Sequence, residues 1–133
     1  MIKSLAHLCF TVRNLKTSEG FYNDKLGLRT AFDFINDKGV RFGVYLHVGG
    51  RSFIELFQGK VGAAAPDQTF KHFCLEVEDV AVAVQTLRGR GVEVTDPKMG
   101  SDGSWQAWLA DPDGNKIELH GYLPGSKQTP WLK

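Results

Sequence analysis

The sequence predicts an α+β fold made of two tandem βαβββ units, and two observations carry that prediction. The first is a repeat: KHFCLEVEDV matches AHLCFTVRNL, placing His72 65 positions after His7, Cys74 after Cys9 and Asp79 after Asn14. FIEL and KIEL likewise place Glu118 63 positions after Glu55. Residue identities and element order that recur together at nearly one period mark a duplicated structural unit. The second observation is that each copy switches from alternating apolar residues to helical spacing and back to alternation.

The first unit spans about 1–58. Leu5 to Val12 alternates as a strand, with Leu5, His7, Cys9 and Thr11 on one face and Ala6, Leu8, Phe10 and Val12 on the other. The second face is apolar throughout and should meet a helix. Asn14 caps a helix over 15–26, with Leu15, Tyr22 and Leu26 at helical spacing. Gly20 weakens that helix by about 1 kcal/mol relative to Ala, and Gly27 suits its C-terminal cap. Three strands follow: 28–34, then 40–48 after an Asn36–Gly39 turn, then 51–57 after Gly49-Gly50. In the last, Phe53, Glu55 and Phe57 share a face.

Residues 59–69 (GKVGAAAPDQT) are small, contain Pro and read as a linker. The second unit, about 70–123, opens with His72, Cys74 and Glu76 alternating with Phe73, Leu75 and Val77. Asp79 caps a helix over 80–88, which Gly89 and Gly91 close. A short strand is expected at 92–95. A hairpin follows, with strands 106–110 and 116–120 around Asp111-Pro112-Asp113-Gly114, where Pro pre-sets φ and Gly supplies a positive one. The tail, 124–133, reads as irregular.

Composition narrows the function. A chain of 133 residues with net charge +1 is expected to form one compact domain with a sizeable core. Near-neutral charge without a Lys/Arg cluster argues against nucleic acid as a partner. No apolar run approaches a membrane span and no signal peptide opens the chain, so a cytoplasmic protein without a membrane partner is expected. Two cysteines are too few for a disulfide framework and read as reduced thiols.

Each unit offers one His on its first strand and one Glu in the middle of its last. A carboxylate in mid-strand is costly unless something pairs with it. Two imidazoles and two carboxylates at matched positions of two pseudo-symmetric sheets make a pocket for a divalent transition metal, with room for water or substrate. His47 has no counterpart in unit two and reads as a packed or exposed residue. His120 shares the face of Glu118 two residues on, about 7 Å along the strand, and reads as rim or outer support. Cys9 and Cys74 share the faces of the histidines and read as small thiols lining the same surface.

AHLCFTVRNLKTSEGFYNDKLGL, FIELF, KHFCLEVEDV and LADPDGNKIEL together resemble the vicinal oxygen chelate superfamily, the glyoxalase/bleomycin-resistance/dioxygenase group, over nearly the whole chain. The resemblance implies a curled mixed sheet forming a cup around one divalent metal per site (Ni, Zn, Co or Mn), with His7, Glu55, His72 and Glu118 as ligands. The complete set most resembles glyoxalase I, the lactoylglutathione lyase. Ring-cleaving dioxygenases and fosfomycin thiol transferases of the superfamily typically use two His and one Glu, epimerases acting on methylmalonyl-CoA tend to have Gln at the place of Glu55, and metal-free bleomycin-binding members lack the set.

The implied activity is that of a metal-dependent lyase or isomerase. A proton is moved next to a carbonyl through a metal-stabilised enediolate, and Glu55 or Glu118 serves as base. Its substrate would be a small molecule such as the thiol adduct of a 2-oxoaldehyde, with Trp105, Gln106 and Trp108 shaping the pocket. Where bacterial glyoxalases carry a basic residue for the glutathione carboxylate, this chain has Thr11, and Gln58 and Gly59 stand near the place of a usual Asn. The alternatives are a metal-free binding protein of the bleomycin-resistance kind and a ring-cleaving dioxygenase. Family members of this size are usually homodimers, with His7 and Glu55 from one subunit meeting His72 and Glu118 of the other.

Overall fold

The computed structural model describes residues 1–132; Lys133, the end of the expected tail, lies outside the described residues. The chain divides into two compact units, Met1–Ala65 and Pro66–Lys133. Unit one runs β1 (His7–Val12), α1 (Leu15–Gly20), a π-helical turn (Phe21–Lys25), β2 (Arg29–Ile35), β3 (Arg41–Gly49) and β4 (Ser52–Gln58). Unit two runs β5 (Phe73–Glu76), α2 (Val80–Gly89), β6 (Lys98–Met99), β7 (Trp105–Ala110) and β8 (Lys116–Gly121), ending in a short 3-10 turn (Thr129–Trp131). Both are βαβββ, as the repeat predicts.

The sheets share one topology. Unit one orders its strands β1-β4-β3-β2 and unit two β5-β8-β7-β6, so the first and last strands of each unit lie side by side and parallel. That adjacency turns a sequence repeat into a chemical one, because it brings the His-bearing strand beside the Glu-bearing strand. In unit one the helix side of the sheet buries Val12, Val44, Leu46, Ile54 and Leu56 with Leu15 and Tyr22. In unit two Ala107, Leu109, Ile117 and Leu119 are buried with Val80, Val84 and Leu87 of α2. Each fully buried aliphatic side chain contributes about 1.5–3 kcal/mol of burial free energy. Alternation therefore puts the His and Glu residues on the opposite face of each sheet, which in unit one they share with aromatic side chains.

The helix caps form as expected: Asn14 accepts from the Thr17 N–H at 3.0 Å and Asp79 from the Val82 N–H at 3.1 Å. The single α-helix expected at 15–26 instead changes after Gly20 into a π-helical turn, in which the Leu26 N–H reaches the Phe21 carbonyl at 3.1 Å. Gly20, a weak helix former, stands at the junction, and the wider turn carries Tyr22, which is fully buried. Registers shift twice between β2 and β3, at Thr30/Phe32 and Phe34/Ile35, and such bulges bend a sheet and raise its twist.

The short strand expected at 92–95 is not there. Thr95 approaches β7 with its N–H bonded to the Trp108 carbonyl, but its own hydroxyl, not its carbonyl, takes the Trp108 N–H at 2.9 Å. Pro97 follows, without an N–H to give, and the ladder begins at Lys98. The hairpin turn is held by Asp111, whose carboxylate accepts from the N–H groups of Asp113 and Asn115 and from the Asn115 side chain. Gly114 supplies the positive φ, 85°. The tail is tied down through Ser126, buried and bonded to Ser104, Gly103 and Leu123. Among the described residues no helix is long and apolar enough to cross a membrane.

Candidate metal centre

Each unit presents one imidazole–carboxylate pair. In unit one, β1 lies parallel to β4 with Cys9 opposite Glu55, which sets His7 one step along the same face. His7 Nε2 lies 3.2 Å from Glu55 Oε1. In unit two, Cys74 of β5 lies opposite Glu118 of β8, and His72, just before the strand, brings Nε2 to 3.0 Å from Glu118 Oε2. The four predicted ligands therefore stand as two pairs, each within a single unit. In both, the imidazole offers Nε2 and the carboxylate faces it.

What holds each group differs. His7 Nδ1 is 3.1 Å from the Tyr45 hydroxyl, and the rings meet edge to face. A histidine whose Nδ1 is engaged in this way presents Nε2 in a fixed direction, the usual arrangement behind a metal-binding imidazole. Tyr45 lies opposite Glu55 across the β3–β4 ladder. It also stacks on Phe32 at 4.7 Å and on Phe53 at 5.0 Å between ring centroids. Phe34, Phe42 and Phe57 extend this half-exposed aromatic surface. His72 meets Trp108 edge to face at 4.7 Å, and Lys116 caps the indole at 4.3 Å. Glu118 is buried and also engages His120, Nε2 to Oε1 at 2.7 Å.

The two thiols are affected by their neighbours. Burial raises the Cys9 pKa, and a hydrogen bond to Glu55 adds to it. Cys74 is exposed as a residue, yet its sulfur is crowded, and desolvation with the nearby Glu118, Asp102 and Glu76 charges pushes its thiol up to about 12. Cys74, Glu118 and His120 bring their ligand atoms within 4.8 Å of one another. Asp102 lies 3.9 Å from His120 Nε2; hydrogen bonds from Gln128 and the Ser104 N–H lower its pKa.

The remaining expected site residues divide by face. Gln106 pairs with His120 and Trp108 with Glu118, so both lie on the Glu118 side of their sheet. Trp105 points the other way, by simple alternation. It lines a separate cavity of about 330 Å³ with Asp79, Val80, Pro97 and Leu123. Thr11 is exposed on the His7 face at the far end of β1, beside Gly59. Gln58 is occupied structurally, accepting from the Leu15 N–H at 2.7 Å and donating to the Arg13 carbonyl. His47 bonds the Gly50 carbonyl at 3.1 Å and packs on Phe53, a hairpin role. Sequence reasoning missed Tyr45 and Asp102. Cross-strand register could have found the first, since Tyr45 falls opposite Glu55.

Each pair brings together an imidazole nitrogen and a carboxylate, donors that suit a divalent transition metal, and in unit one the nitrogen is already oriented by a tyrosine. Among known proteins, the family described as the Glyoxalase/Bleomycin resistance protein/Dioxygenase superfamily matches residues 4–119. Glutathione transferase FosA of Serratia marcescens is 31% identical over 124 residues, covering 90% of this chain and 82% of its own. Metallothiol transferase FosB of Staphylococcus epidermidis is 28% identical over 126 residues, with the same coverage. The solved structure of SMU.1112c superposes with a TM-score of 0.78 at 24% identity, covering 90% of this chain and 99% of that one.

Proposed function

The chain belongs to the Glyoxalase/Bleomycin resistance protein/Dioxygenase superfamily, and from that premise we propose that it is a metal-dependent lyase or isomerase of the glyoxalase I type. His7, Glu55, His72 and Glu118 hold one divalent metal between them, with Ni, Zn, Co and Mn all suited to such ligands. The two pairs come together across a homodimer, as the glyoxalase resemblance favours, giving two equivalent sites. When bound, the metal supplies Lewis-acid polarisation of substrate oxygens. The protein's own groups do the rest. One glutamate takes a proton from the carbon next to a carbonyl and returns it to the neighbouring carbon. Tyr45 keeps His7 oriented, and the aromatic surface around it offers a water-poor wall for the substrate.

The observation that carries this reading is Glu55, a half-buried carboxylate 3.2 Å from His7 in the unit where the superfamily's transferases and dioxygenases typically have none. The substrate class is the thiol adduct of a 2-oxoaldehyde. Thr11 stands where a basic residue would meet glutathione, which favours a smaller thiol. A second reading, thiol transfer, is favoured by the names of the FosA and FosB relatives. Purified metal-loaded protein, assayed with methylglyoxal and a series of thiols, tests the first reading. Isomerisation that disappears on chelation and in Glu55→Gln supports it. Thiol transfer that survives in Glu55→Gln, with no isomerisation in the unmodified protein, overturns it.

A further inference from the structure

The two units start their helices alike, with one difference. In both, the capping side chain takes the third N–H of the helix, Asn14 that of Thr17 and Asp79 that of Val82. In unit one the first N–H is taken as well. Gln58 Oε1 accepts from the Leu15 N–H at 2.7 Å while Gln58 Nε2 donates to the Arg13 carbonyl. One carboxamide thus closes the gap between the end of β4 and the start of α1. The repeat sets Val80 in the place of Leu15 and Glu78 in that of Arg13, both 65 positions on, and Gly121 in that of Gln58, 63 positions on. The registers agree, since Cys9 faces Glu55 and Cys74 faces Glu118 three residues before Gln58 and Gly121.

Unit two therefore keeps the gap and lacks the side chain that fills it. Gly121 ends β8, and a Cβ there would stand 3.6 Å from the Val80 nitrogen. Among the described residues nothing accepts from the Val80 N–H and nothing donates to the Glu78 carbonyl, although Val80 is only 3% exposed. The first N–H of a helix has no partner within it, and a buried donor left unbonded costs about 1–3 kcal/mol. At this place lies the cavity of about 330 Å³, whose walls include Glu78, Val80, Pro97, Trp105, Gly121 and Leu123. That volume suits a small ligand, and Trp105 and Leu123 leave apolar surface open along it. The Glu78 and Asp79 side chains border the cavity and disfavour an anion. A carboxylate would also have no donor for the Glu78 carbonyl, whereas a carboxamide offers both an acceptor and donors.

We propose that this cavity binds a small neutral molecule bearing a primary carboxamide on a flat apolar ring, which does in unit two what Gln58 does in unit one. The ligand's oxygen accepts from the Val80 N–H, its NH2 donates to the Glu78 carbonyl, and its ring lies against Trp105. Gly121 and Trp105 face each other across the β7–β8 ladder, one step from the His120–Gln106 pair. Alternation therefore puts this site on the opposite side of the sheet from Glu118 and His120, and it needs no metal.

Benzamide is the probe. Proton–nitrogen correlation NMR of the full chain, titrated with benzamide, should show saturable shifts of the Val80 amide and the Trp105 indole N–H. Benzoate, which is charged and has no donor, and N,N-dimethylbenzamide, which keeps only the acceptor, should each bind about tenfold more weakly, the equivalent of one lost hydrogen bond. Gly121→Gln, which copies unit one, should abolish the shift at Val80. Its Cβ would press on Val80 Cγ2 at 2.9 Å, so Trp105→Ala serves as a second variant. That change should weaken benzamide about tenfold through lost ring contact while the far-UV spectrum stays that of the folded chain. The proposal is overturned if benzamide produces no saturable shift at Val80, or if all three compounds bind equally, which would leave only an apolar slot. Undiminished benzamide binding in a folded Gly121→Gln or Trp105→Ala chain would overturn it too.

Discussion

Replacing Tyr45 by Phe removes one oxygen atom and leaves the rest of the unit-one pair in place. The ring still stacks on Phe32 and Phe53, so the aromatic surface survives. What is lost is the 3.1 Å contact between the hydroxyl and His7 Nδ1. A neutral hydrogen bond contributes about 0.5–1.5 kcal/mol net to stability. His7 is more than one-third exposed, which places this one at the low end, and the melting temperature should fall by a few degrees at most. Metal affinity should respond more. Removal of the group that orients a ligating imidazole costs about 10–100-fold, and the length and exposure of this bond point to about tenfold, or roughly 1.4 kcal/mol. Competition against a chelator measures the affinity, and urea titration of the metal-free protein measures the stability. Unchanged affinity in a folded Tyr45→Phe chain would refute the argument that Tyr45 orients His7.

Further outcomes are expected. His7→Ala should lose metal while its far-UV spectrum stays that of the folded chain; full occupancy in that variant would remove His7 from the site. Gly43→Ala should destabilise by about 1–3 kcal/mol, read by urea titration, because its Cβ would stand 2.5 Å from Phe57 Cδ1 and 2.9 Å from the Leu56 carbonyl oxygen; an unchanged midpoint would show that the β3–β4 ladder gives way freely. Cys74, its thiol pushed up to about 12, should alkylate with iodoacetamide about a thousandfold more slowly at pH 8 than an ordinary thiol, the ratio of thiolate fractions, and a rate like that of free cysteine would contradict the shift. Because the fold favours the neutral thiol, its contribution to stability is full below about pH 9 and declines as the pH rises toward 12, a loss that Cys74→Ala should abolish. Finally, co-expressing Glu55→Gln and Glu118→Gln chains should restore one intact site per mixed dimer if sites are shared across subunits, and no recovery in a verified mixed dimer would place each site within one chain.

The repeat made much of this molecule legible. His7 with Glu55 and His72 with Glu118 can be paired on paper because a βαβββ unit sets its first strand beside its last, and alternation fixes which face each side chain takes. The caps at Asn14 and Asp79 and the turn at Gly114 were equally readable, since each depends on a residue's own chemistry. Features that depend on tertiary register were not. The π-helical turn after Gly20 is set by how Tyr22 is buried, the missing strand at 92–95 by Thr95 bonding through its hydroxyl, and the bond from Tyr45 to His7 by three strands lying side by side. Asp102 and Gln128 belong to a loop and a tail without periodicity, so nothing local announces that they meet beside His120. Trp105 shows the cost of reading proximity in sequence as proximity in space, because it neighbours Gln106 in the chain but points to the other side of the sheet.

Metal content tests the central claim most directly. Protein purified without chelator or affinity tag, analysed by plasma mass spectrometry and then titrated with Ni2+, Zn2+, Co2+ and Mn2+ after stripping, should hold about one divalent ion per chain. That ion should be lost in Glu118→Gln. A folded chain that carries no metal, and takes up none at micromolar concentration, would contradict the account.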